Sequence, residues 1–202
     1  MRLRRTLLAM AAVCVALVAA GCGGLIQGNP ARLVLAPGQV PSGFHVLSQG
    51  TYADAAVAKA FGIPASQVSG SMGRLTGYRV TFVRSLTAAN LKQGAAQIDS
   101  VVSLYQGAVP AGNALAFEIK ANKQRVKGLQ VLSLGSVGQQ SFAFAYNQVE
   151  AQAKVTVRYV NVYWRERNAL AAVSITGVRG SFPDGEAMQL ARAQDALLRR
   201  AS

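Results

Sequence analysis

Only two cysteines occur among the 202 residues, Cys14 and Cys22, and both fall in the first 22 positions. The rest of the chain has no thiol, which excludes a disulfide framework, a thiolate metal cluster and a cysteine nucleophile there. His45 is the single histidine. His-rich zinc sites are therefore excluded, and any Ser-His relay would depend on that one residue. Acids are scarce as well: eight carboxylates stand against 21 lysines and arginines, for a formal charge of +13. No Gly-x-Ser-x-Gly elbow or Ser-x-x-Lys motif stands in a strand-to-helix setting. The glycines from Gly70 to Gly77 fit neither the dinucleotide fingerprint nor the P-loop spacing, and read as the entry to a strand. After Ala20 no apolar run is long enough to cross a membrane.

What the chain does have begins at its start. Arg2, Arg4 and Arg5 lead into the apolar run Leu7 to Ala20, which is shorter than the about 20 residues of a permanent span and is flanked like a secretory signal. The run closes in Val18-Ala19-Ala20-Gly21-Cys22. Small residues before a cysteine in this place resemble the lipobox of bacterial lipoproteins. The resemblance implies diacylglycerol on the Cys22 sulfur and cleavage just before it. Residues 1–21 would then be the signal peptide, 22–31 a lipidated N-terminus and flexible tether, and 32–202 one globular domain. The domain would sit at the extracytoplasmic face of a bacterial membrane. Ala19 occupies the position where such boxes usually carry Leu. An ordinary secretory signal, with Cys22 left as a free thiol, is the alternative.

Losing Arg2, Arg4 and Arg5 with the signal leaves about +10 on the mature chain. Outside a membrane the polyanions to expect are lipid headgroups and anionic wall polymers, not nucleic acid. A purely solubilising role for the dispersed charge is the competing reading.

The periodicities predict an α+β fold, a largely antiparallel twisted sheet of about six to seven strands packed with three helices. Strands are expected near 44–47, 78–84, 95–106, 129–134, 141–149, 154–165 and 168–178. Helices are expected over 52–61, over 110–126 with a stripe of Leu115, Ile119, Asn122 and Val126, and from about 181 to the C-terminus. Ala187, Leu190, Ala191, Gln194 and Leu198 form the stripe of the last. Three short patterns stand out: Gly73-Arg-x-x-Gly-Tyr78, Trp164-Arg-x-x-Asn168 and Ala191-Arg-x-Gln-Asp195. Together they resemble uncharacterised secreted single-domain proteins of bacteria and, in element order, the PsbP/Mog1-like sandwiches. That resemblance implies a binding or accessory module and transfers no catalytic residue.

For chemistry, a glycosidase or metal-assisted hydrolase needs two convergent carboxylates. Asp184 and Glu186 belong to a helix start, and Glu118 and Asp195 are expected to face solvent. Asp99 and Glu166 are left as the one pair to test. No catalytic, cofactor-binding or metal residue is recognised. Within 154–165, Val155 and Val157 fall on odd positions while Val160, Val162 and Trp164 fall on even ones, so an unbroken strand would show apolar residues on both faces. Either both faces are covered or a β-bulge near Arg158-Tyr159 restores a single core face. The bulge is the preferred expectation. It buries Trp164 and turns Asn161, Tyr163 and Arg165 outward as a polar aromatic strip for a ligand or partner. The chain thus reads as a monomeric, membrane-anchored lipoprotein acting as a noncatalytic binding or accessory module of the cell envelope. Its expected partners are the membrane through the N-terminal lipid, and anionic lipids, wall polymers or an envelope protein. A lipid or wall-polymer carrier is the first alternative, and a hydrolase acting on envelope polymers the second.

Overall fold

A computed structural model describes residues 24–85, 87, 94–151 and 153–201, so Cys22 and the signal lie outside the described residues. The fold is α+β. Seven strands form one antiparallel sheet in the order β1-β2-β3-β7-β6-β5-β4. They are β1 (Phe44–Thr51), β2 (Arg74–Arg84), β3 (Gln97–Tyr105), β4 (Gln130–Val131), β5 (Gln140–Glu150), β6 (Val155–Glu166) and β7 (Ala169–Val178). Among the described residues four α-helices accompany them: α1 (Asp54–Phe61), α2 (Ala65–Ser69), α3 (Ala108–Arg125) and α4 (Gly185–Arg200). The five-residue α2 has no counterpart among the expected helices, because one turn and a half is too short to show a period. The strand expected over 129–134 is reduced to the two residues of β4.

The two faces of the sheet are buried differently. Ile98, Val102 and Leu104 of β3, Val160, Val162 and Trp164 of β6, and Ala171, Val173 and Ile175 of β7 point to one side, where α4 covers them. Helix α4 lies on this face with the stripe its period predicts, Ala187, Leu190, Ala191, Gln194 and Leu198. The opposite side of β3 and β7 carries Tyr105 and Leu170, against which α3 packs Ala111, Ala114 and Leu115. Helices α1 and α2 close a smaller cluster of Val57, Ala58, Phe61 and Val68 beside it.

The bulge expected near Arg158-Tyr159 is absent. Pairing runs without a shift from Gln140↔Arg165 to Glu150↔Val155 and from Val157↔Val178 to Glu166↔Ala169. Strand β6 runs straight with Val160, Val162 and Trp164 buried under α4, while Val155 and Val157 stay half-buried near the β5–β6 hairpin on the opposite face. Arg158 does share a face with Val160, Val162 and Trp164. It lies beyond the apolar layer and donates from Nε and Nη2 to the Asp184 carboxylate at 2.7 and 2.6 Å. Bulges occur elsewhere, at Leu47 in β1 and Leu75 in β2.

From Gly24 onward, the segment expected as a flexible tether is a strap bound to the domain. Ile26 is buried, its N–H donates to Asn168 Oδ1 at 2.7 Å, and its carbonyl accepts from Asn168 Nδ2 at 3.2 Å. Leu33, Val34 and Leu35 extend the core under α4. Glycine and asparagine in 23–31 lowered the apparent order of the stretch, whereas one buried isoleucine and a carbonyl pair suffice to dock it. The receiving end is the two-residue β6–β7 turn, where Arg167 takes a left-handed φ of 52°. Its guanidinium bonds to the carbonyls of Gly24 and Leu198 and so fixes that conformation.

Trp164 is fully buried, and its indole N–H donates to Asp195 Oδ1 at 3.0 Å. Trp164→Ala is expected to cost about 3–5 kcal/mol through the cavity it leaves. Trp164→Phe keeps most of the volume and strips Asp195 of one donor, for a loss of about 1–3 kcal/mol. Urea denaturation of the two variants beside the parent chain measures both values.

Candidate functional site

The face opposite α4 is only partly roofed, and the gap forms a cleft of about 180 Å³. Its floor is the sheet: Arg79 from β2, Asp99, Val101 and Ser103 from β3, Tyr163 from β6, and Leu170, Ala172 and Ser174 from β7. Tyr52, Val57 and Phe61 at α1 form one wall, and Glu118 of α3 enters from the roof.

The walls are held firmly. Arg74, almost wholly buried, donates from Nε to Ser103 Oγ at 3.0 Å, and also bonds to Asp54 and to the Tyr52 carbonyl. One guanidinium therefore ties the start of α1 to β3. A side chain at position 77 would displace it: a Cβ on Gly77 would meet Arg74 Nη2 and lie 2.7 Å from the Val102 carbonyl oxygen. At the other end of α1, Arg125 of α3 donates to the carbonyls of Ala60 and Phe61, while Phe61 and Phe117 meet edge to face at 4.9 Å. The cleft is thus preorganised on both sides.

Two carboxyls with different surroundings line it. Asp99 Oδ1 accepts from Arg79 Nε at 3.0 Å and from Thr81 Oγ1 at 2.6 Å, and Oδ2 accepts from Gln97 Nε2 at 2.7 Å. Both of its oxygens are engaged. Glu118 has one weak side-chain partner, Asn122 Nδ2 at 3.3 Å from Oε2. Desolvation under α3 pushes its pKa up to about 7 from 4.5, more than the Asn122 hydrogen bond and the Arg125 charge pull it down. Near neutral pH it is in part a neutral acid, able to donate a hydrogen bond as well as accept one. Burial also raises the Tyr52, Tyr105 and Tyr163 phenols, so these stay protonated.

Beyond the cleft the same face continues as an aromatic row. Tyr163 stacks on Phe144 with centroids 6.0 Å apart, and Tyr146 stacks on Tyr159 at 4.6 Å with planes 4° apart. Lys123 Nζ stands 5.4 Å above the Phe142 ring. At the far end of the face a wider, open hollow of about 620 Å³ is bordered by His45, Leu47, Val83 and Thr176.

The expected strip is divided by this geometry. Tyr163 reaches the cleft, and Asn161 stands on the same face, buried, with its Oδ1 taken by Ser174 Oγ at 2.7 Å. Arg165 lies past the cleft at the sheet end, on Gln140 Oε1 and the Arg167 carbonyl. The Asp99 and Glu166 pair does not converge: Glu166 is on the α4 face, beside Arg167 and Arg199 at 3.7 and 3.9 Å. Glu118 and Asp195, expected in solvent, both point inward. Among the described residues no three His, Cys, Asp or Glu side chains gather as a metal site requires. Glu118 had a signal in the spacing: Ala111, Ala114, Leu115, Glu118 and Asn122 stand at i, i+3, i+4, i+7 and i+11 on one helical face, in which the alanines count little by hydropathy. Arg79 and Tyr52 had none, since each depends on which strands become neighbours.

No protein-family model and no curated protein matches the chain. Among solved structures, the extracellular domain of PknH from Mycobacterium tuberculosis is similar at a TM-score of 0.62 and 11% identity, over 88% of this chain and 100% of that one. At that identity the likeness is one of fold.

The Glu118 environment makes stability depend on pH. Below about pH 4.5 the carboxyl is protonated in both folded and unfolded chains and costs nothing. As pH rises toward 7 the unfolded chain releases the proton while the folded one retains it, so stability falls, and above 7 the penalty is constant. Glu118→Gln should therefore stabilise the domain by about 1–2 kcal/mol at pH 8 and leave it unchanged near pH 4.5. Thermal melts at the two pH values measure the difference.

Proposed function

We propose that this chain is a bacterial lipoprotein, anchored through Cys22 at the extracytoplasmic face of the membrane, whose domain is a noncatalytic module that binds a ligand in the α1–α3 cleft. The observation that carries the binding part is the cleft itself: rigid walls tied by Arg74 and Arg125, an aromatic and aliphatic lining, and polar groups gathered at one place. At about 180 Å³ it is smaller than the roughly 300–1,000 Å³ that takes a drug-sized molecule. It suits one ring or the end group of a longer chain, with the aromatic row from Tyr163 to Tyr159 continuing the surface along which such a chain would lie. An uncharged polar ring suits it best, since Glu118 offers a neutral acid and Asp99 is already neutralised by Arg79.

Carriage of a whole lipid fits less well, because it needs a large enclosed apolar cavity and the 620 Å³ hollow is open. Hydrolysis also fits less well. Glu118 and Asp99 both line the cleft as an acid and its partner would, yet Asp99 is committed to its own strand neighbours, Oδ1 to Arg79 and Thr81 and Oδ2 to Gln97.

Two measurements test the proposal. Mass spectrometry of the membrane-extracted protein should show a new N-terminus at Cys22 carrying diacylglycerol, and Cys22→Ser should release the domain without changing its melting curve. A free Cys22 thiol in membrane-extracted protein would defeat the anchor. For the cleft, Ala172→Phe fills the floor from the middle of β7. Native mass spectrometry after incubation with envelope extract should find a small molecule on the parent domain and none on the variant. Equal retention by both would rule the cleft out.

A further inference from the structure

The strap decides which end of the domain meets the bilayer. Gly24, the first described residue, has its carbonyl on Arg167 Nη1 at 3.1 Å, and Ile26 is bound to Asn168. Cys22 is two residues earlier, within about 7 Å of Gly24 even in fully extended chain. An anchor on Cys22 would therefore bring the β6–β7 turn against the headgroups, with no slack for the domain to tumble.

Other parts of the chain share that end. The Tyr105 N–H at the end of β3 donates to the Asn168 carbonyl at 2.9 Å, and the Gln106 N–H donates to the Gly73 carbonyl at 2.9 Å. Hence the start of β2, the end of β3 and the first turn of α3 all surround the turn. These segments expose large apolar side chains: Leu25 is 47% exposed, Leu75 61% and Val109 73%. Leu75 is placed outside the sheet by its bulge, and Val109 stands in the first turn of α3. The exposed charge at this end is mainly positive; Asp54, 32% exposed at the start of α1, is paired with Arg74. Arg199 and Arg200 close α4 and are exposed, and Arg165 is half-buried at the end of β6. The nearby carboxyls, Glu166 and Asp195, are buried, and Asp195 is already bonded to Trp164 and Arg199.

We propose that this end, with Leu25, Leu75 and Val109 among Arg165, Arg199 and Arg200, is a docking surface for an anionic bilayer. It rests on the lipoprotein reading given above. A lipid chain pair already retains the protein, so the surface would set orientation more than retention: apolar side chains enter the headgroup boundary and arginines meet lipid phosphates. The cleft floor, a face of the sheet, would then stand upright on the membrane.

The test reads orientation. Beyond Cys22, which the lipid occupies, the mature chain has no thiol, so Leu75→Cys, Val109→Cys and Val149→Cys each add a single site for a fluorescent label. Val149 is the control, 71% exposed but in the β5–β6 hairpin at the opposite end. The full acylated protein is reconstituted in vesicles of phosphatidylcholine and phosphatidylglycerol that contain a headgroup-borne quencher. Labels at 75 and 109 should be quenched several-fold more than the label at 149, and the difference should shrink in phosphatidylcholine alone. Equal quenching at the three positions overturns the docking surface, and an undiminished difference in phosphatidylcholine removes the role of the arginines. The mass of the same sample separates the two readings: acylated protein with equal quenching defeats docking alone, whereas an unacylated Cys22 defeats the anchor and docking together.

Discussion

The amide of Gln194 holds the two halves of the main core together. It is fully buried. Its Nε2 donates to the carbonyls of Leu33 and Val101 at 3.0 and 3.1 Å, and its Oε1 accepts from Ser100 Oγ at 2.8 Å. Ser100 Oγ in turn accepts from the Leu35 N–H at 3.0 Å. One side chain thereby joins α4, the third strand and the N-terminal strap in a place without water, where an unpaired partner would cost about 1–3 kcal/mol each. The apolar layer gives the energy of this packing, but hydrocarbon contacts tolerate sliding. The amide does not, and it fixes α4 at one position along the sheet. With α4 fixed, its last turn delivers the Leu198 carbonyl to Arg167, and Asp195 to Trp164.

Much of the fold could be read from periodicity because the elements it governs are long. Strand β3 separates Ile98, Ser100, Val102 and Leu104 from Asp99, Val101, Ser103 and Tyr105 as its alternation predicts, and α4 buries its predicted stripe. Strand β6 shows the limit. Its alternation puts two apolar sets on opposite faces if the strand runs straight. Choosing between a bulge and two covered faces, however, required knowing that α3 returns over β6, a contact between elements that no local pattern contains. Arg158 weighed against a straight strand only while its partner Asp184 was unknown.

The cleft was legible in part for the same reason. The aromatic cluster on β6 points to Tyr163, which lines the cleft. Glu118 is hidden from such a reading because a charged residue on a helix is ordinarily in solvent. Helix α3 contradicts that default by burying small alanines at 111 and 114 around it, and alanine carries too little hydropathy to mark a buried face. The three short patterns around Arg74, Trp164 and Gln194 turn out to supply the buried polar bonds of the domain: Arg74 under α1, Trp164 and Asn168 at the strap end, Gln194 and Asp195 in α4.

The strap also bears on the order in which the chain can fold. Its bonds join residues far apart in sequence, Ile26 to Asn168 across 142 positions and Leu33 to Gln194 across 161. Contacts of such span carry the largest loop-closure cost and form only after nearer ones have shortened the loop. The strap is thus ordered after the elements that follow it in sequence, since the places it occupies do not exist until β7 is paired and α4 has docked. Until then Ile26 and Leu33 to Leu35 have no buried place to enter. Completion of the C-terminal helix ends that interval.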